Sequence, residues 1–150
     1  MSEPISLMLD LNILLDVVQQ REPFYEASAA VLTMALDGSV RAFLPAHVFT
    51  TLYYVVRKAV GKETAETTVD RLLSRLEVAP SGKAELRRAR SLTMADFEDA
   101  VVASAAEAAG CVWIVTRNVE DFSDSPVTAL TPAEFLAYAA GEPFFTPSPE

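Results

Sequence analysis

The apolar run at residues 111–115, Cys-Val-Trp-Ile-Val, is the sequence feature that most constrains the fold. It follows an alanine-rich stretch that ends at Gly110, and a polar turn comes directly after it. An apolar run this short, with β-branched and aromatic residues, predicts a strand rather than a helix. Because the run has no polar alternation, both of its faces are expected to be covered, as in parallel sheets flanked by helices.

The rest of the chain alternates between short strand patterns and longer helical patterns. Strands are predicted at residues 6–9, 40–44, 77–79, 112–115 and 127–129. Helices are predicted at residues 12–19, continued after Pro23 at 24–36, and at 46–60, 63–76, 83–91, 96–109 and 131–140. Strands separated by helices pair in parallel through crossover connections. The predicted fold is therefore α/β, a three-layer α/β/α arrangement around a short central parallel sheet.

Composition limits the classes of protein to which the chain can belong. The 150 residues, of which 51% are hydrophobic, predict one domain with its own core at residues 1–140 and exclude a disordered chain. A tail at residues 141–150 contains three prolines. No apolar run approaches the roughly 18 residues that span a bilayer, and the apolar start lacks a basic leader and a cleavage site. We therefore predict a cytoplasmic protein with no membrane contact.

Charge and rare residues restrict the chemistry further. The net charge of −9 argues against binding nucleic acid through a broad basic surface. It leaves room for a metal-dependent nuclease, in which bound cations supply the positive charge. Cys111 and His47 are the only residues of their types, which excludes an internal disulfide and a Cys/His zinc site. We expect Cys111 to be an ordinary buried residue and His47 an ordinary polar residue near a helix start.

Ligands of such sheets bind beyond the carboxyl ends of the strands, and acidic residues follow two of the predicted strands there. Asp10 comes directly after the first strand, where it either faces a ligand or caps the next helix. We favour the ligand role because Asn12 is also available as a cap. After the strand at 112–115, Asn118 and Asp121 are one helical turn apart and can share a face, although capping of a short helix explains them equally well.

A third acidic cluster opens the alanine-rich helix. Asp96 and Asp99 are three residues apart on one helix face, and small residues follow them on that face, so the helix can approach the sheet closely. A capping box is the alternative explanation for this pair. We weigh capping and metal contact evenly for Asp96, and we favour metal contact for Asp99.

Together these clusters predict a divalent metal site. Carboxylate oxygens are hard ligands that suit Mg²⁺ or Mn²⁺, and such ions activate water and stabilise displacement at phosphorus. We predict Asp10, Asp99 and Asp121 as catalytic residues, and the same three with Asp96 as metal ligands.

The polar residues around these acids are expected to help them. Asn12, Thr116 and Asn118 are predicted as supporting residues of the site. Arg117 either contacts a substrate phosphate or forms a salt bridge with a nearby acid. We expect Asp16 to lie on a helix surface.

Five segments of the chain resemble the PIN domain family. The segments are Leu-Asp-Leu-Asn-Ile-Leu-Leu-Asp at 9–16, Arg-Glu-Pro-Phe-Tyr at 21–25, Tyr-Tyr-Val-Val-Arg-Lys at 53–58, Asp-Phe-Glu-Asp-Ala at 96–100 and Val-Thr-Arg-Asn-Val-Glu-Asp-Phe at 115–122. The resemblance extends from residue 5 to about residue 136. It implies a metal-dependent ribonuclease, and many members are toxins of bacterial toxin–antitoxin pairs, usually homodimeric and inhibited by an antitoxin protein.

The resemblance also assigns individual residues. Asp10 matches the aspartate of the first strand, Asp99 the acid of the later helix, and Asn118 with Asp121 the final polar motif. Many members carry a glutamate on the helix after the second strand, where this chain has Thr51. Asp96 lies on the same helix face as Asp99 and is the candidate to replace that acid. Without a replacement, metal affinity and turnover are expected to be low.

Three functions remain open at this point. The first is a metal-dependent endoribonuclease, the toxin of a toxin–antitoxin pair, acting on RNA. The second is a non-catalytic PIN module that binds RNA or protein, which Thr51 motivates. The third is a phosphatase with Asp10 as nucleophile, which is disfavoured because Asn12 stands where a second acid is expected and no lysine lies near the later strand ends.

Other basic and aromatic residues have ordinary explanations. Three arginines of the helix at 83–91 could meet RNA phosphates, although a solvated helix face explains them more simply. Tyr53, Tyr54 and Arg57 fit core or dimer packing better than stacking with RNA bases.

Overall fold

A single parallel sheet organises the computed structural model, which describes residues 3–141. Its strands are β1 (Ser6–Leu9), β2 (Arg41–Pro45), β3 (Glu77–Ala79), β4 (Trp113–Val115) and β5 (Ala129–Leu130). The strand order is β3-β2-β1-β4-β5, and every neighbouring pair is parallel. The sequence prediction of a parallel sheet is confirmed.

The helices lie between the strands along the chain, as the alternating pattern predicts. They are α1 (Leu11–Val18), α2 (Tyr25–Leu36), α3 (Ala46–Val60), α4 (Lys62–Arg75), α5 (Lys83–Ser91), α6 (Phe97–Ala108) and α7 (Pro132–Ala139). A short 3₁₀ helix, Val119–Phe122, follows β4. No helix within residues 3–141 combines the length and the apolar character needed to cross a bilayer.

Both faces of the sheet are covered, so the three-layer α/β/α architecture is confirmed. Leu7 and Trp113 belong to the core on one face, which α1, α2, α3, α4 and α7 also line. Met8 and Ile114 alternate with them and belong to the core on the other face, against α6. The alanines of α6 at positions 103 and 106 are fully buried there, and their small side chains let this helix lie against the sheet.

Two predicted elements differ from the structure. The helices before and after Pro23 are separate, because Gln20 takes a positive φ of 48° and ends the first one. The last strand is Ala129–Leu130 rather than 127–129, since parallel pairing of Ala129 with Ile114 and of Leu130 with Val115 sets its register. The division into a domain at 1–140 and a tail at 141–150 stays a prediction, and residues 142–150 lie outside the described part of the chain.

Candidate active site

The strand order defines one point at which a site is expected. From β1 the chain builds outward through β2 and β3, then returns to the other side of β1 with β4 and β5. The crevice beyond the carboxyl ends of β1 and β4 is thus the topological switch point, the usual ligand position in open α/β sheets. Leu9 and Val115 pair at these ends, so Asp10 and Thr116, which follow them, lie side by side.

Asp10 is held by three hydrogen-bond donors. The backbone amide of Leu11 donates to Oδ1 at 2.9 Å, so Asp10 caps α1. The hydroxyl of Thr116 donates to Oδ2 at 2.8 Å, and Asn12 Nδ2 donates to the same oxygen at 3.3 Å. A carboxylate offers about four lone-pair positions, so one on Oδ1 remains for a ligand. Capping and ligand binding, the two alternatives for this residue, are therefore compatible.

The predicted supporting residues surround Asp10 in one network. Asn12 Oδ1 accepts a hydrogen bond from the backbone amide of Arg117 at 3.3 Å. Thr116 Oγ1 accepts from the backbone amide of Asn118 at 3.1 Å. This network joins the loop after β1 to the loop after β4, and it fixes the orientation of the Asp10 carboxylate. The side chain of Asn118 forms no cap on the 3₁₀ helix. The backbone carbonyl of Asn118 accepts a hydrogen bond from the backbone amide of Asp121 instead.

Burial raises the pKa of Asp10 above its ordinary value, and the charge of Glu98 raises it further. The hydrogen bonds from Thr116 and Leu11 and the nearby His47 lower it. Burial therefore removes water from the Asp10 carboxylate, and the hydrogen bonds from the protein compensate for only part of that lost hydration. A cation beside Asp10 would favour the ionised form.

Asp96, Asp99 and Asp121 meet at a second part of the same edge. They line a cavity of about 200 Å³ between the start of α6 and the 3₁₀ helix, together with Glu120 and Asp124. Burial first, and then the charges of Asp96, Asp10, Asp121 and Glu98, raise the pKa of Asp99 to about 6. The other three predicted ligands are thus close enough to Asp99 to act on its carboxylate electrostatically.

The fit of this acid set to a divalent cation is partial. Its hard oxygen donors suit Mg²⁺ or Mn²⁺, and a cation would relieve the repulsion that raises the pKa of Asp99. As they stand, however, no three Asp, Glu, His or Cys side chains within residues 3–141 are grouped closely enough to hold one ion. Asp96 Oδ1 also accepts from the amide of Asp99 at 3.0 Å and so caps α6. Asp96 and Asp121 are exposed, and exposed side chains change rotamer more readily than buried ones, although Asp96 must give up its cap to do so.

Arg117 forms a salt bridge, which was one of the two roles predicted for it from the sequence. Its Nε lies 2.8 Å from Asp16 Oδ2. That distance is one of an ion pair, although the N–H direction misses hydrogen-bond geometry. Asp16 has 0% exposed surface and also accepts from the hydroxyl of Ser28 at 3.0 Å. The expectation that Asp16 lies on a helix surface is wrong, because α1 turns this residue toward Arg117 and α2.

The sequence analysis missed two residues of this edge, His47 and Glu98. His47 Nε2 lies 3.4 Å from Glu98 Oε2, and both charges act on the pKa of Asp10. His47 stands on the first turn of α3, directly after β2, and it precedes Thr51 by four residues, so the two share a helix face. The position of His47 at the carboxyl end of a strand could have indicated a site residue. The sequence analysis instead interpreted His47 as an ordinary polar residue at a helix start.

The cysteine, the α5 arginine and the two tyrosines that the sequence analysis assigned to ordinary structural roles lie away from the acidic edge. Cys111 is buried in the core, and Arg88 pairs with Glu107 through Nε at 2.9 Å. Tyr53 and Tyr54 contact each other edge to face on α3, and Tyr54 is 66% exposed. None of these residues lines the cavity formed by Asp96, Asp99 and Asp121.

The fold and the edge together define a class of protein: an α/β/α domain with an acidic site at the switch point of a short parallel sheet. A family model described as PIN domain matches residues 6–120. The chain belongs to the PIN domain family, as the sequence resemblance indicates.

Known proteins agree with this assignment. The chain is 27% identical over 134 residues to Ribonuclease VapC1 of Aquifex aeolicus (strain VF5), covering 86% of this chain and 92% of that protein. Among solved structures, a Rickettsia felis VapBC2 complex bound to a promoter DNA fragment matches with a TM-score of 0.63 at 22% identity, covering 85% of this chain and 98% of that one. A toxin–antitoxin complex from Klebsiella pneumoniae matches with a TM-score of 0.66 at 17% identity, covering 84% and 97%. At these identities the structures support the fold.

Proposed function

We propose that this chain is a metal-dependent endoribonuclease and the toxin of a toxin–antitoxin pair. The observation that carries the proposal is that Asp10, Asp96, Asp99 and Asp121 lie along the sheet edge at the switch point, where burial first and then the charges of the neighbouring acids raise the pKa of Asp99 to about 6. The ribonuclease VapC1 of Aquifex aeolicus supports the reaction class. The toxin–antitoxin complexes among the similar structures support a protein antitoxin as partner.

The residues of the edge would divide the work as follows. Asp10, Asp99 and Asp121, with Asp96, would hold Mg²⁺ or Mn²⁺. Bound there, the cation would activate water and stabilise negative charge on the RNA phosphate. Thr116 and Asn12 orient the Asp10 carboxylate through the bonds at 2.8 and 3.3 Å. Arg117 is the predicted substrate contact. Homodimer formation and a cytoplasmic location stay predictions.

The test is cleavage of single-stranded and structured RNA by the purified protein, with Mn²⁺, with Mg²⁺ or with EDTA. We expect cleavage in either metal and none in EDTA. Asp10→Asn keeps the shape of the side chain and removes its charge, so it should abolish cleavage. Asp70→Asn makes the same change at an exposed position of α4 and should cut as the parent does. Equal cleavage by the Asp10→Asn and Asp70→Asn variants would show that this site is wrong.

A non-catalytic PIN module is the second candidate. It is favoured by Thr51, which cannot supply the carboxylate expected on α3, and by the spacing of the acids, no three of which within the described residues surround one point. Calorimetry with Mn²⁺ discriminates between the two. Tight binding that Asp99→Ala removes would favour the nuclease, whereas no binding combined with RNA or protein affinity would favour the module.

A further inference from the structure

Two neighbours hold the Arg117 guanidinium in place: a carboxylate at its Nε edge and an aromatic ring at one of its faces. Its Nε pairs with the buried Asp16 at 2.8 Å, and its Cζ atom lies over the Phe24 ring, 4.2 Å from the ring centroid. Ser28 holds the same Asp16 oxygen at 3.0 Å. An arginine with so many partners has few rotamers left, so the direction of its remaining donors is set before any ligand arrives.

The opposite edge of the guanidinium has no hydrogen-bond partner among residues 3–141. Arginine has five N–H donors, and neither Nη of Arg117 donates a hydrogen bond to the described part of the protein. The side chain is 21% exposed. The ion pair and a ligand contact, which the sequence posed as alternatives, can therefore exist together on one residue.

Arg117 lies between two cavities of different chemistry. One, of about 420 Å³, contains Asn118, Thr131 and Asp121, a member of the acidic site. The other, of about 210 Å³, is mainly apolar; it is lined by Pro23 and Phe24, which precede α2, by Ala27 of α2, and by Pro132 and Ala133 of α7. A ligand at Arg117 would thus have the acidic site on one side and an apolar cleft on the other.

We infer that Arg117 and this apolar cleft form a nucleotide subsite for a single-stranded RNA substrate, an inference that rests on the proposed function. The two Nη groups match a phosphate in the bidentate geometry that arginine prefers. Glu120 also lines the larger cavity and repels the phosphate, which keeps it on the Arg117 side. The adjoining base enters the cleft beside Phe24, since unpaired RNA bases bind against aromatic and apolar side chains.

The proposed phosphate contact of Arg117 is tested by fluorescence anisotropy of a labelled single-stranded RNA oligonucleotide in EDTA. We expect Arg117→Ala to weaken binding about tenfold or more, because a charge-assisted hydrogen-bond pair is lost. The slope of log affinity against log salt should fall by about 0.7, one phosphate contact on a single strand. Arg71→Ala removes an exposed arginine of α4 and is the matched control, expected within about twofold of the parent.

Two outcomes would overturn the phosphate half. One is a parent protein that shows no RNA binding, and the other is an Arg117→Ala variant whose affinity and salt slope match those of Arg71→Ala. Because Arg117→Ala leaves Asp16 unpaired and could unfold the protein, Arg117→Lys is measured beside it. A single ammonium cannot pair with Asp16 and also grip a phosphate at two points, so this variant should also bind RNA more weakly.

The base half is tested by filling the cleft without touching Arg117. Ala133 is exposed on the first turn of α7 and lines the cleft. Ala133→Trp should weaken RNA binding and leave the salt slope unchanged. Ala139→Trp adds the same bulk to an exposed position of α7 outside the cleft and should have no effect. Equal affinity of the two variants would overturn the base assignment and leave the cleft to another occupant, such as a protein side chain.

The outcome is separable from that of the proposed function. RNA that binds through Arg117 but is never cut in Mn²⁺ would keep the subsite and refute the nuclease. RNA that is cut in Mn²⁺, while Arg117→Ala and Arg117→Lys bind as the parent does, would keep the nuclease and refute the subsite.

Discussion

Replacement of Asp99 by asparagine should make the protein more stable at neutral pH. Burial, and to a smaller extent the charges of Asp96, Asp10, Asp121 and Glu98, together raise the pKa of Asp99 to about 6. A raised carboxyl pKa means that the folded state disfavours the charge, so ionisation of Asp99 costs folding free energy. Asparagine keeps the size of the side chain and removes the charge. The backbone amide of residue 99, which donates to Asp96 at 3.0 Å, is unaffected.

The magnitude follows from the pKa. A rise from 3.8 to about 6 corresponds to about 3 kcal/mol, at about 1.4 kcal/mol for each pKa unit. Asp99 is half-buried, so solvent screening reduces the repulsion, and we expect a gain of about 1–2 kcal/mol from Asp99→Asn at pH 8. A loss of proposed ribonuclease activity should accompany this gain, as is common where a functional site is electrostatically strained.

Urea unfolding of the parent and the variant from pH 3.5 to pH 8 is the assay. Between the ordinary pKa of 3.8 and the folded value of about 6, the folded parent binds more protons than the unfolded chain. The contribution of Asp99 to parent stability is therefore fully present below 3.8 and is lost as the pH rises through about 6. The difference between variant and parent should be near zero at the lowest pH and reach its full value above pH 7.

A difference that is the same at both ends of this pH range would refute the reasoning, as would a variant less stable than the parent at pH 8. Asp70→Asn is the control, since this exposed aspartate of α4 lines neither cavity of the acidic edge. It should change stability by less than about 0.5 kcal/mol at every pH.

Three further predictions concern other parts of the molecule. Burial raises the pKa of the Cys111 thiol to about 12, so a thiol reagent at pH 8 should modify it only after unfolding in urea. His47→Gln should raise the pKa of Asp10, because the charge of His47 lowers it; carboxyl carbon shifts in an NMR titration would measure the change. Phe135→Ala should cost about 3–5 kcal/mol in urea unfolding, since this ring is fully buried against the sheet.

Much of the fold could be predicted from local patterns. An apolar run such as Trp113–Val115 has few ways to bury both faces, so it specifies a covered parallel strand wherever the rest of the chain lies. Gly110, with a φ of 74°, ends the preceding helix because a left-handed residue costs glycine little. The bounds of β5 depended instead on its pairing with β4, which no local pattern encodes.

The site divides in the same way. The sequence by itself predicted Asp10 and Asp121 at one edge of the sheet, because each follows a strand and the carboxyl ends of parallel strands meet there; Asp99 was predicted there as the acid that opens a helix lying against the sheet. Only the tertiary structure decided that Asp16 is a buried partner of Arg117 and that His47 and Glu98 face Asp10.

The physical reason is distance along the chain. Thr116 bonds Asp10 across a sequence separation of 106 residues, and such a contact depends on helix rotation and on side-chain direction, which neither residue type nor local spacing reveals. The sequence therefore determined which chemistry collects at the edge. The packing of α1, α2 and α3 determined which of the neighbouring side chains turn toward it.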